Sequence, residues 1–123
     1  RQDGPVSRPE ARRRQREAHV LLYMQWEDRA VDMVSALKYW EYLASGRPML
    51  MTGGHSGGTA ERIVVDARGG VVAHDVLAIA AAIRGWIDEL TQNGSVASHL
   101  RREVTAPFGA TARAREFARA LEA

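Results

Sequence analysis

The stretch Ser35-Ala-Leu-Lys-Tyr-Trp-Glu-Tyr-Leu-Ala-Ser-Gly-Arg-Pro-Met-Leu-Met-Thr52 decides the fold. Val34, Leu37, Trp40 and Leu43 recur at helical spacing and predict one apolar helix face. Ser35 is the expected amino-terminal cap, because a serine oxygen accepts from the free amides of the first turn. Gly46 fits the left-handed residue that ends a helix, and Pro48 forbids continuation. Met49-Leu-Met51 is then a short apolar run, the pattern of a strand covered on both faces. Two charges sit inside this apolar unit, Lys38 and Glu41, and Lys38 is the chain's one lysine.

Working outward, the chain alternates. Residues 1–6 are polar with Gly4 and Pro5 and are expected to be loose. Ser7-Arg-Pro-Glu10 has the form of a capping box and opens a helix to about Ala18. Between Arg8 and Arg16 this helix carries five arginines against one glutamate. That run reads as a solvated helix face or as a patch for acidic lipid or nucleic acid. The absence of interleaved aromatics argues against base stacking. His19 to Trp26 is the first expected strand.

After the central unit, Gly53-Gly-His-Ser-Gly-Gly-Thr59 predicts a turn into a second helix, Thr59 to Ala67. Val71-Val-Ala73 predicts a third strand. Asp75 is placed to cap a long helix to about Leu90, with Val76, Ile79, Ala80, Ile83 and Ile87 expected to face inward. A short helix over Ser95–Glu103, a break at Pro107-Phe-Gly109 and an amphipathic helix over Thr111–Glu122 complete the chain.

Strands that alternate with helices imply an α/β fold, with a parallel sheet and helices on both faces. Three strands amount to half of a doubly wound nucleotide-binding domain. The 123 residues suit one domain with one core, and 46% hydrophobic and 26% charged residues are globular proportions. With no cysteine, disulfides, thiolate metal sites and cysteine nucleophiles are excluded. No apolar run nears the ~20 residues of a membrane span, and no signal peptide is expected at the arginine-rich start. A formal charge of +2 does not by itself argue for nucleic acid.

Candidate site residues follow from position. Glu41 reads either as a carboxylate that accepts both hydroxyls of a vicinal diol, such as a ribose, or as a helix charge paired with Lys38 at spacing three. The helix start at Ser35 and Ala36 offers free amides and the positive end of the helix dipole, an anion site. Lys38 in the first turn either adds to phosphate binding or pairs with Glu41. Gly53, Gly54 and His55 form a possible donor loop at a strand's carboxyl end. It lacks the Gly-Lys-Ser/Thr of a Walker loop and fits no Gly-x-Gly-x-x-Gly frame, so a plain turn is the competing reading. His19, His55, His74 and His99 have no metal-ligand spacing. There is no nucleophile-elbow pattern. Trp26, Trp40 and Trp86 are expected in the core or an interface.

Lys38-Tyr-Trp-Glu-Tyr-Leu-Ala-Ser-Gly-Arg-Pro-Met-Leu resembles the donor-binding segment of glycosyltransferase family four, the GT-B enzymes. Their usual run is Lys-x-x-Glu-Tyr-Leu-Ala-x-Gly-x-Pro before apolar residues. The resemblance runs from about Ser7 to the carboxyl end. It implies a three-layer Rossmann-like half domain, the carboxyl-terminal donor lobe, with residues 7–106 as the partial donor domain and 107–123 as a carboxyl-terminal helix. It further implies that Glu41 contacts the ribose of a nucleotide sugar and that the helix start faces the diphosphate. No metal or other cofactor is implied. The reaction would be glycosyl transfer in cell-envelope polysaccharide or glycolipid synthesis, on the cytoplasmic side, at or near the membrane's inner face. By analogy, sugar configuration would be retained.

Many members carry a second glutamate eight positions before the ribose glutamate; here that position is Met33, which leaves the sugar open. The amino-terminal lobe and the first half of the donor lobe are not within these residues, so the chain alone is expected to bind weakly and not turn over. The last helix, without a lobe to cover, is expected to pair two copies. The alternative is a non-catalytic α/β interaction module, or a subunit that completes an enzyme in trans, with no nucleic-acid partner.

Overall fold

The computed structural model describes residues 4–25, 36–54 and 56–122. Ten residues form α1 (Arg8–Glu17), with the Ser7 hydroxyl accepting from the Glu10 amide at 3.4 Å and Pro9 in the first turn, as the capping pattern implies. Strand β1 (Leu21–Gln25) is shorter than expected. It leads across residues 26–35, which lie outside the described residues and include Trp26, Met33, Val34 and Ser35, to α2 (Ala36–Ser45). Gly46 ends α2 at φ 76°. Strand β2 (Met49–Gly53), α3 (Thr59–Asp66) and β3 (Gly70–Val72) follow.

The three strands form one parallel sheet in the order β1-β2-β3. Leu21 lies beside Met49, and Met49 beside Gly70. Alternation along each strand divides the side chains between two faces. On one face Leu21, Tyr23, Met49 and Met51 pack with Tyr39 and Leu43 of α2 and Val64 of α3, and Ala67 just beyond α3 completes this core. Tyr23 sits edge-on to Tyr39 and Tyr42, with ring centroids 6.1 and 6.3 Å away. Burial pushes the Tyr39 phenol up from its ordinary range, and the neighbouring Tyr23 adds to this. Helix α1 packs on α2 on the same side.

The other face carries Leu22, Met24 and Leu50, and α4 (Val76–Asn93) lies against the β2 part of it. Asp75 caps α4, its carboxylate accepting from the Ala78 amide at 2.8 Å, and Gly94 closes it at φ 71°. The sheet thus has helices on both faces, an α/β fold compatible with a Rossmann-like half domain.

The stripe expected on α4 turns toward the sheet but is only partly covered, with Ile79 and Ala80 half-buried. Val76, Ile83 and Ile87 are 79%, 42% and 55% exposed, and no residue of α4 is buried. The cause is the narrow sheet. Three short strands offer α4 little to rest on beyond β2, so its apolar stripe overhangs, and Leu22 and Met24 on the edge strand are left uncovered too.

The helix expected over Ser95–Glu103 also fails. Only α5 (Arg102–Thr105) is helical there. The preceding segment is irregular, its amides taken by partners outside it. The Ala97 amide donates to Glu89 Oε1 and the Arg101 amide to the Ala67 carbonyl, both at 2.7 Å, while Val96 is buried. The expected break is a 3₁₀ turn, Ala106–Phe108, before α6 (Ala110–Glu122).

Candidate functional site

Glu41 stands in the second turn of α2, about 7 Å below the helix start at 1.5 Å per residue. Its side chain is 40% exposed and faces α1, not the core. A guanidinium nitrogen of Arg8 lies 3.4 Å from Glu41 Oε1, and this arginine is 76% exposed. Such a long, open pair is weak and easily rearranged by solvent or ligand. No pair between Lys38 and Glu41 occurs among the described residues, and Lys38 is exposed. The local pairing at spacing three is therefore replaced by a tertiary one across 33 residues. Burial raises the Tyr42 phenol above its ordinary value, and the adjacent Glu41 charge reinforces the shift.

Glu41 lines two adjoining grooves between α1 and α2. One, of about 240 Å³, is bounded by Arg12, Gln15, Arg16, Glu41, Ala44 and Ser45. The other, of about 340 Å³, runs past Arg8, Trp40 and Glu41 to Thr105 and Phe108. Trp40 and Phe108 stack with centroids 4.6 Å apart and planes at 29°, so the carboxyl-terminal turn forms an aromatic wall beside the carboxylate. The carboxylate thus opens on a cleft with cations along one side and a flat apolar surface at one end.

The other predicted positions lie elsewhere around α2 and β2. Ser35 is outside the described residues. Ala36 begins α2, and Lys38 lies in that first turn. Gly53 and Gly54 follow at the carboxyl end of β2, with φ 74° and 73°. A Cβ on Gly53 would strike the Gln25 carbonyl oxygen, so the loop's path over the end of β1 requires glycine. His55 is outside the described residues.

A pair of residues not singled out from the sequence shapes this loop. Glu61, in the first turn of α3, has a side chain only 8% exposed. Its Oε2 accepts from the Gly57 amide at 2.7 Å. Its Oε1 is buried without a well-directed hydrogen bond, and its polar neighbour is His74 Nε2 at 2.7 Å. A carboxylate at a helix start that reaches back to an earlier amide is a capping device. The signal in the sequence was Glu61 three residues after Gly58. Nothing in the spacing of His74 announced it as the partner.

Among the described residues no group of three His, Asp or Glu could hold a metal ion, and no helix is long and apolar enough to cross a membrane. No protein-family model, no curated protein and no solved structure matches the chain.

Proposed function

We propose that this chain is the carboxyl-terminal, donor-holding part of a glycosyltransferase of family four with the GT-B fold. It would take a nucleotide-diphosphate sugar as donor, without a metal. The observation that carries the reading is Glu41. It is a half-open carboxylate on the helix joining two parallel strands, facing a cleft lined with arginines and an aromatic stack. The Lys38–Pro48 run supports it through its resemblance to that family's donor segment.

In this reading the ionised Glu41 accepts both ribose hydroxyls, which displace the loosely held Arg8. The amides at the start of α2 and Lys38 face the diphosphate, and the loop from Gly53, fixed by Glu61, borders the sugar. These residues bind and orient; the groups that act on the acceptor belong to another lobe. The product would serve cell-envelope polysaccharide or glycolipid synthesis, on the cytoplasmic side at the membrane's inner face. A thermal-shift panel of uridine, guanosine, adenosine and thymidine diphosphate sugars tests this. At ten times Kd, ligand linkage adds about 1.4 kcal/mol and raises Tm by about 5 °C. The reading predicts a rise for one nucleotide; no rise with any of the four at millimolar concentration counts against it.

A second reading is a non-catalytic interaction module, or a subunit that completes an enzyme in trans. It is favoured by the uncovered apolar surface of Leu22, Met24, Ile83 and Ile87, since scattered apolar residues are ordinary but a contiguous patch marks a contact. Pairing of two copies through α6 belongs to this reading as well, and light scattering that shows only monomer at high concentration removes it.

A further inference from the structure

We infer that the groove between α1 and α2 is a binding site for a phosphate-bearing ligand, gripped by Arg12 and Arg16. Of the five arginines of α1, Arg8 meets Glu41 across the cleft, and the other four fall into two sets. Arg13 and Arg14 are engaged by carboxylates of their own helix. Arg13 bonds Glu10 and Glu17 at 2.8 Å, and Arg14 bonds Glu10 at 2.7 Å. Arg12 and Arg16 are four residues apart, which brings them to one face of the helix. Both line the smaller groove, and among the described residues neither side chain has a hydrogen bond or ion pair.

The ordinary explanations cover only part of this. The negative end of the helix dipole accounts for an arginine at Arg16, in the last turn of α1. It does not account for Arg12, a turn earlier, or for both exposed arginines lining one cleft. Arg47 adds a further positive charge at the Arg16 end, its Nε donating to the Arg16 carbonyl at 2.7 Å. The Ser45 hydroxyl there is engaged, donating to the Tyr42 carbonyl and accepting from the Arg47 amide. Glu41 supplies the groove's negative charge, at the end where Arg8 already meets it.

Unpaired guanidinium forks suit the oxygens of a phosphate, which accept two parallel N–H bonds. A cleft of about 240 Å³ admits a phosphate or diphosphate group. The site is separate from the start of α2 and does not rest on the donor reading, because it requires no ribose and no sugar.

Inorganic pyrophosphate is the probe, followed through the side-chain Nε–H resonances of the arginines. Lipid and free sources of phosphate are separated by a second arm, sedimentation with phosphatidylglycerol vesicles. Binding in either arm that depends on Arg12 and Arg16 supports the site, and the arm names the source. R12Q/R16Q is compared with R13Q/R14Q, which removes the same charge from the carboxylate-paired arginines that do not line the groove. The proposal predicts perturbed Arg12 and Arg16 resonances, an affinity loss of about tenfold or more in R12Q/R16Q, and less than about threefold in R13Q/R14Q. Equal losses in the two variants would show attraction by net charge alone and overturn it. So would the absence of binding to both pyrophosphate and vesicles. Circular dichroism checks that each variant keeps α1, and R12K/R16K, which retains the charges without the forks, is predicted to fall between wild type and R12Q/R16Q.

Discussion

Replacing Glu41 by alanine separates ribose recognition from every other role of the cleft. A hydrogen bond to a charged group contributes about 1.5–3 kcal/mol when well shielded. Glu41 is 40% exposed, so the lower end applies. It must also release Arg8, but a pair at 3.4 Å with an arginine 76% exposed is worth about 0–1 kcal/mol. Two ribose hydroxyls therefore contribute about 2–3 kcal/mol net, and E41A should weaken a ribonucleoside diphosphate about 30- to 150-fold. Calorimetry with the ribonucleotide and its 2′,3′-dideoxy analogue, on both proteins, closes a double-mutant cycle. The analogue lacks both hydroxyls and should bind wild type and E41A alike. Equal weakening of both ligands by E41A would refute the reasoning, since the carboxylate would then act through the fold or the field and not through the diol.

Further expectations follow from other parts of the molecule. His74→Ala strands the buried Glu61 Oε1, at a cost of about 1–3 kcal/mol; amide exchange at Gly57 should accelerate relative to core amides such as Met51, and unchanged exchange would detach His74 from the loop. Leu43, 1% exposed between the sheet and α2, should cost about 2–5 kcal/mol in urea unfolding when cut to alanine. Gly53→Ala combines a positive φ with the clash against Gln25 and should lower stability by about 1–3 kcal/mol, measured by the same denaturation. Glu10 is held down to about 2 by its bonds from Arg13 and then Arg14. A depressed carboxyl stabilises fully above its unfolded value near 4.5 and loses that contribution as pH falls through about 2. Helicity of α1 should thus decline between those values, and E10Q should remove the dependence.

Local signals carried much of the fold. Gly46 and Pro48 ended α2 where the left-handed glycine demands it. Asp75 and Gly94 bracketed α4, and Ser7 opened α1. What misled was burial. The stripe of Val76, Ile83 and Ile87 is periodic, but period shows which residues share a face and not whether anything covers it. Residues 95–101 have no helix because Glu89 and Ala67 take up amides that a helix would have used, a competition settled only in three dimensions.

The candidate site divides in the same way. Glu41 could be picked out as a charge within an apolar unit. Its partner could not, because Lys38 is near in sequence while Arg8 is near in space. That Arg12 and Arg16 share one side of α1 was latent in their four-residue spacing. It became legible only with α2 alongside. For Glu61 the capping distance was visible, while His74, just beyond β3, meets it only in space.

The most direct measurement is amide chemical-shift mapping with the nucleotide sugar that raises Tm most. The donor reading predicts the largest shifts at the start of α2, from Ala36 to Glu41, and around Gly53 and Gly54. Shifts confined to α4 and the outer face of β1, with Ala36–Glu41 unmoved, would contradict it.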